Sequence, residues 1–314
     1  MKLIIQIPCY NEELTLPETL ADLPRSVPGF DRVEVLVIDD GSGDRTAEVA
    51  RKNGAHHVIE LGGHQGLARA FMAGLHEAVK LGADVIVNTD ADNQYAAADI
   101  IKLAEPVRRG EADMVVGCRP IEKIGEFSPL KKCLQRIGSW AVCRAASQNI
   151  PDVTSGFRAY SREAALRLDV HSSYTYTHET IIQASRKLLR VIPVSIRVNP
   201  GARRPSRLVI GIWSYVKRSV AIIMRIYLMY EPLKVFSLAS LPFLAVGGAV
   251  IARFLYYCSI GQGSGKIQSL ILAAALVLVG FQILLLALLA DLIAANRRIL
   301  EDIQYQVRKN KLDH

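Results

Sequence analysis

Apolar positions follow two regimes along the chain, a short-period one first and a long-run one after it. Over the first 120 residues, brief β-branched and aliphatic runs alternate with stretches whose apolar residues recur every three or four positions. The runs Lys2–Ile7, Val33–Ile38, His57–Glu60, Val85–Thr89 and Asp113–Gly117 predict strands. Glu12–Leu23, Asp44–Asn53, Gly66–Leu81 and Ala97–Arg108 predict helices. This alternation implies an α/β domain with a mostly parallel sheet and helices on both faces. The near-continuous apolar character of the strands fits burial on both sides. Strands of such a sheet end along one edge, where ligands bind. Three of the strand ends are followed by Pro8–Glu12, Asp39–Gly43 and Asp90–Gln94, all polar and carboxylate-bearing.

In the second regime, residues 129–148 place Leu130, Leu134, Ile137, Trp140 and Ala141 on one helical face, with Lys131, Lys132, Arg136 and Arg144 elsewhere. That pattern reads equally as a core helix or as an amphipathic helix at a membrane interface. Residues 209–232 have the same mixed character. The runs 235–256 and 269–290 then each reach the roughly 20 apolar residues that cross a bilayer. Cations flank the pair, including Arg297, Arg298, Arg308, Lys309 and Lys311, whereas the intervening loop has only Lys266. By the positive-inside rule both termini are expected in the cytoplasm, with the loop outside. The expected organisation is a catalytic domain over 1–208, a juxtamembrane helix over 209–232, a transmembrane hairpin within 233–295 and a basic tail over 296–314. The expected location is the cytoplasmic (plasma) membrane, as an integral protein.

Charge sharpens this picture. The net +8 is uneven: residues 1–179 hold 25 acidic and 20 basic groups, while 180–230 hold ten basic and no acidic ones. Anionic lipid headgroups or phosphate ligands are the expected partners of that block. Nucleic acid is not, because the block is interleaved with Ile, Val and Leu rather than with stacking aromatics alone. Five scattered cysteines without a CxxC pair predict no disulfide framework and no zinc site, as in a reducing compartment. The apolar run Leu3–Ile7, broken by Pro8, is too short for a signal peptide.

The sharpest chemical signal is Asp90-Ala91-Asp92, with Gln94 two residues on. Two carboxylates alternating on an extended segment can approach one hard cation. Mg2+ or Mn2+ accept oxygen ligands and share them with substrate phosphates. Such a cation neutralises charge on a departing nucleoside diphosphate. Alone, the triplet reads as often as a solvated acidic turn; the motifs ahead of it decide between the two.

Those motifs are Pro8-Cys9-Tyr10-Asn11-Glu12 after the first strand and Asp39-Asp40-Gly41-Ser42-Gly43 after the second. With them, about Leu3–Leu208 resembles the family 2 glycosyltransferases of the Rossmann-like GT-A fold. The resemblance is strongest to the dolichyl-phosphate mannose synthase and polyisoprenyl-phosphate glycosyltransferase group. It implies that Pro8, Tyr10, Asn11 and Glu12 border the nucleotide, together with Asp90 and Ala91. Asp40 is expected to accept from the base, and His64 to lie in a glycine-containing loop close by. Asp90, Asp92 and Gln94 match the metal and diphosphate positions, and Asn93 stands where usual members have Leu. Arg119 and Arg158 are expected to face the acceptor phosphate and, with Asp92, to form the catalytic set. Lys131, Arg203, Arg204 and Arg207 would balance charge, with Pro205 replacing the usual glycine. Glu179 is expected either to contact the sugar or to cap its helix.

The implied reaction is inverting transfer of a hexose from a UDP- or GDP-linked donor to a polyisoprenyl phosphate. A phosphate monoester is already anionic near neutral pH, so no strongly tuned base is required. One alternative is transfer to a lipid hydroxyl, with Asp152 or Glu179 as base; another is a nucleotide-binding membrane scaffold without turnover. Homo-oligomerisation is left open.

Overall fold

The computed structural model describes residues 1–120, 142–144, 146, 148–170, 176–199, 224, 228, 231–261 and 267–313. Seven strands form one sheet: β1 (Lys2–Cys9), β2 (Arg32–Asp39), β3 (His57–Glu60), β4 (Val85–Asn88), β5 (Met114–Cys118), β6 (Arg158–Ser161) and β7 (Val191–Ser195). The spatial order is β3-β2-β1-β4-β6-β5-β7. Every pairing is parallel except those of β6, which runs antiparallel between β4 and β5. The five expected strands are all present, each within about two residues of its expected end.

The chain steps outward from β1 through β2 to β3, then returns to place β4 on the other side of β1. That reversal opens a crevice between the carboxyl ends of β1 and β4, the usual ligand position in open α/β sheets. Helices α1 (Leu16–Asp22), α2 (Thr46–Lys52), α3 (Leu67–Lys80) and α4 (Ile100–Arg108) connect the strands. On α3 the buried Ala68, Phe71, Met72, Leu75, Ala78 and Val79 recur at helical spacing and face the sheet. Beyond β6 lie α5 (Arg162–Arg167) and α6 (Thr177–Arg186).

Two further helices, α7 (Pro232–Ser259) and α8 (Ile267–Asp313), are long and apolar enough to cross a membrane. Their apolar side chains are largely exposed, with Leu238 at 70% and Ile271 at 65%, which a water-surrounded core helix does not tolerate. The two helices touch through small residues. A Cβ on Gly247 would come within 2.7 Å of Val277, and one on Gly280 within 2.8 Å of Leu244. Close approach at small residues is how helices associate in lipid.

The chain divides into two compact units, Met1–Ser219 with Gln304–His314, and Val220–Ile303. The end of α8, from Gln304 on, thus belongs with the first unit. Tyr305 donates to Glu163 at 2.8 Å, and the Arg167 guanidinium lies 5.1 Å from the Tyr305 ring centre. Arg308 donates to the Leu168 carbonyl at 3.3 Å and pairs with Asp169 at 3.4 Å. Most of the segments 129–148 and 209–232, with Lys131, Arg203, Arg204 and Arg207, lie outside the described residues.

Candidate active site

The first two strand-end loops are laced to each other. Asn11 N–H donates to Ser42 Oγ at 2.9 Å, and Gly43 N–H donates back to Asn11 Oδ1 at 2.8 Å. Glu12 N–H donates to Thr46 Oγ1 at 2.9 Å. Asn11 holds φ +55°, a left-handed conformation that asparagine accepts better than most residues. Pro8 lies in β1 beside Ile38. Tyr10, 37% exposed, stacks on His64 with ring centres 3.9 Å apart.

Asp40 is engaged within the protein itself. Its carboxylate accepts from Gln65 N–H at 2.8 Å and Gly66 N–H at 2.9 Å, and pairs with His64 Nδ1 at 2.8 Å. These contacts fasten the 63–66 loop under β2. Asp39 braces its own turn through the Ser42 backbone N–H and hydroxyl. Gly41 is required here: at φ +68° its Cβ would lie 2.5 Å from the Gly63 backbone.

Asp90 and Asp92 follow β4 on the crevice side. Burial, then the neighbouring Asp92, pushes the Asp90 carboxyl up to about 7. Burial and, among the neighbouring charges, Glu12 raise Asp92. Two partly buried carboxylates that disfavour each other's charge are a donor set that a divalent cation would relieve. Among the described residues no group of three His, Cys, Asp or Glu side chains gathers to hold a metal. The remaining coordination of a cation at the Asp pair would therefore come from phosphate oxygens and water, as is usual for Mg2+. Ala91 is buried, and its carbonyl accepts from Thr19 Oγ1 at 2.9 Å.

Gln94 meets Arg119, whose Nη1 donates to Gln94 Oε1 at 3.3 Å. The same guanidinium grips Asp152 through Nε at 2.7 Å and Nη2 at 3.2 Å, and Thr154 Oγ1 at 2.9 Å. Burial alone would raise Asp152, but the Arg119 charge and hydrogen bonds hold it below the usual carboxylate value. Asp152 is therefore a fixed anion positioning Arg119 and is unsuited to act as a base.

Arg158 corrects the expectation most clearly. It is fully buried, and its guanidinium donates to the carbonyls of Ser155 at 2.7 Å, Val153 at 2.8 Å and Thr177 at 2.8 Å, and to Thr180 Oγ1 at 2.7 Å. Those bonds staple the 153–155 loop to the start of α6 and leave the guanidinium with no exposed surface. Glu179 is buried in the first turn of α6 and accepts from Gln183 Nε2 at 3.2 Å. That position favours the helix-capping alternative.

Several contributors carried no local signal. Asn88 donates to Gly156 O at 2.8 Å and to the Tyr176 hydroxyl at 2.9 Å, and accepts from Gln6 Nε2 at 2.9 Å. Gly156 leaves room for the aspartate, since a Cβ there would lie 2.8 Å from Tyr176 Oη and 2.9 Å from Asp90 Oδ1. A polar residue inside each of two apolar strands, Gln6 and Asn88, was the available clue. A cavity of about 450 Å3, lined by His76, Lys80, Leu166, Arg308 and Lys311 among others, holds none of the expected site residues. It lies at the far end of α3 from the His64 loop.

With the crevice defined, the family can be stated. Residues 4–168 match the model of Glycosyl transferase family 2, and the chain belongs to that family. An undecaprenyl-phosphate mannosyltransferase of Micrococcus luteus is 32% identical over 206 residues, covering 62% of this chain and 83% of the relative. A dolichyl-phosphate hexose transferase of Haloferax volcanii is 33% identical over 200 residues, covering 61% and 81%. Glucosyl-3-phosphoglycerate synthase of Mycobacterium tuberculosis, solved with Mn2+, UDP and glucosyl-3-phosphoglycerate, shares the fold with a TM-score of 0.54 at 21% identity, covering 71% of this chain and 79% of that one.

Proposed function

We propose that this glycosyltransferase moves a hexose from a UDP- or GDP-linked donor to a polyisoprenyl phosphate at the cytoplasmic membrane face, with inversion at the anomeric carbon. The observation that carries the reading is the pair Asp90 and Asp92 at the carboxyl end of β4, with Arg119 reaching Gln94 beside them. The names of the relatives in Micrococcus luteus and Haloferax volcanii, both polyprenyl-type phosphate transferases, agree with it.

Asp90 and Asp92 would hold Mg2+ or Mn2+, which when bound supplies charge neutralisation for the departing nucleoside diphosphate. Gln94, with its carbonyl turned to Arg119, keeps an amide N–H2 to offer a diphosphate oxygen. Tyr10 and His64 offer a stacked ring pair at the nucleotide side of the crevice. Arg119 carries positive charge toward the acceptor side, with Asp152 fixing its fork. Lys131, Arg203, Arg204 and Arg207 are assigned to charge balance by resemblance alone. The packing of Tyr305 and Arg308 on the catalytic unit supports two crossings, because an even number returns the chain to the side where it began.

The hydroxyl-acceptor alternative loses support, since the ion pair occupies Asp152 and Glu179 is buried on its own helix. Full-length Asp92→Asn, assayed with labelled donors and polyprenyl phosphate, is expected to lose transfer by two powers of ten or more, the order expected for a catalytic charge-stabilising group. Undiminished transfer would refute the assignment.

A further inference from the structure

Asn93 lies between Asp92 and Gln94, and its side chain does not join the site. It holds φ +53°. Left-handed backbone is disfavoured for an L residue, least for asparagine, so the turn draws on support from outside itself. That support comes from two directions. Asn93 Nδ2 donates to Asp22 Oδ2 at the end of α1, 2.8 Å away. Asn199 Nδ2 donates to the Asn93 carbonyl at 3.0 Å and lies 3.4 Å from both Asn93 Oδ1 and the Tyr95 carbonyl.

The backbone closes the same junction. Asn199 N–H donates to the Gln94 carbonyl at 2.9 Å, and Tyr95 bridges Val198 in antiparallel fashion. Inside the turn, Gln94 N–H donates to Asp92 Oδ1 at 3.1 Å, so the Asp92 carboxylate is oriented by the turn. Asp90 and Asp92 each raise the cost of the other's charge, and a turn free to relax would let them part. Groups that orient metal ligands from behind commonly contribute 10–100-fold to cation affinity.

We propose that Asn93 and Asn199 form a clasp that positions Asp92 for a divalent cation and Gln94 for the diphosphate that shares it, binding the metal-side turn to α1 and to the exit of β7. Asn93 and Asn199 are positioning residues and touch no substrate. The inference rests on the metal reading given above and goes beyond it, since Asp22 and Asn199 belong to none of the motifs.

The test is Mn2+ binding to the full-length protein in detergent, followed by electron paramagnetic resonance without donor or acceptor. Asn93→Gly keeps the left-handed backbone and removes the amide. Asn199→Ala removes the clasp from the other side and leaves the turn's own sequence intact. Each is expected to weaken Mn2+ affinity on the order of tenfold. Transfer should show a raised Mn2+ requirement, with kcat largely restored at saturating Mn2+. A merely structural role would lower the thermal midpoint and leave Mn2+ affinity unmoved well below it. Wild-type affinity in both variants overturns the clasp alone. A wild-type protein that binds no Mn2+ either alone or with UDP or GDP present overturns the metal reading, and the clasp with it.

Discussion

Arg119 Nε stands 2.7 Å from Asp152 Oδ2, and the pair is almost wholly enclosed, with side-chain exposures of 11% and 0%. Asp152 thereby determines where the Arg119 fork points. Asp152→Asn should leave Arg119 less firmly held and lower stability by roughly 3–5 kcal/mol, the cost of breaking a buried pair. Transfer should fall without a change in the shape of its pH profile. A profile that loses its acid limb would instead identify Asp152 as a proton acceptor.

Arg158→Lys distinguishes a structural arginine from one that binds substrate. Lysine keeps the charge but lacks the planar fork that reaches three carbonyls and Thr180. Two or more lost charge-assisted bonds at about 1.5–3 kcal/mol each should lower the thermal midpoint sharply. A stable variant with a selectively raised acceptor KM would restore the substrate-binding role.

The end of α8 should stabilise the catalytic unit. Deleting residues 304–314 removes the Tyr305–Glu163 and Arg308–Asp169 contacts. Hydrogen exchange across Arg162–Asp169 should then accelerate, and Tyr305→Phe alone should cost about 1 kcal/mol. Unchanged exchange in the deletion variant would show that the packing is incidental.

Two histidines set an acid limit. Burial first, then Arg308, pushes His76 down to about 4; burial and then Arg158 do the same for His178. An unfolded histidine titrates near 6.5, so between these values the unfolded chain binds protons that the folded chain does not. Their contribution to stability is complete above about 6.5 and is lost as pH falls toward about 4. Unfolding free energies measured across that window should decline, and the His76→Gln, His178→Gln double variant should decline less, by on the order of 1–3 kcal/mol. Parallel declines would contradict the shifts.

The parallel strands and their polar ends were legible because strands buried on both faces read as apolar runs, and the crevice follows from the order of those runs. The strand β6 was not. Its four residues, Arg158-Ala159-Tyr160-Ser161, begin with a charge and carry no apolar alternation, although Arg158, Ala159 and Tyr160 are fully buried. Arg158, read through the resemblance alone, was therefore expected at the acceptor phosphate. The loop contacts of Asp40 were hidden for a related reason: a strand-end carboxylate looks the same in sequence whether or not it accepts from the Gln65 and Gly66 N–H groups. The packing of the basic tail carried no signal in the sequence, because Glu163 and Asp169, its partners, lie about 140 positions earlier.

The central claim is that cation-dependent transfer goes to a lipid phosphate and not to a lipid alcohol. Its most direct measurement offers the full-length protein polyprenyl phosphate, polyprenol and diacylglycerol in parallel, with labelled UDP- and GDP-sugars, in Mn2+ and in excess chelator. The account predicts a glycosylated product from polyprenyl phosphate alone, and only with the cation. Efficient glycosylation of either alcohol, or transfer that persists in chelator, would contradict it.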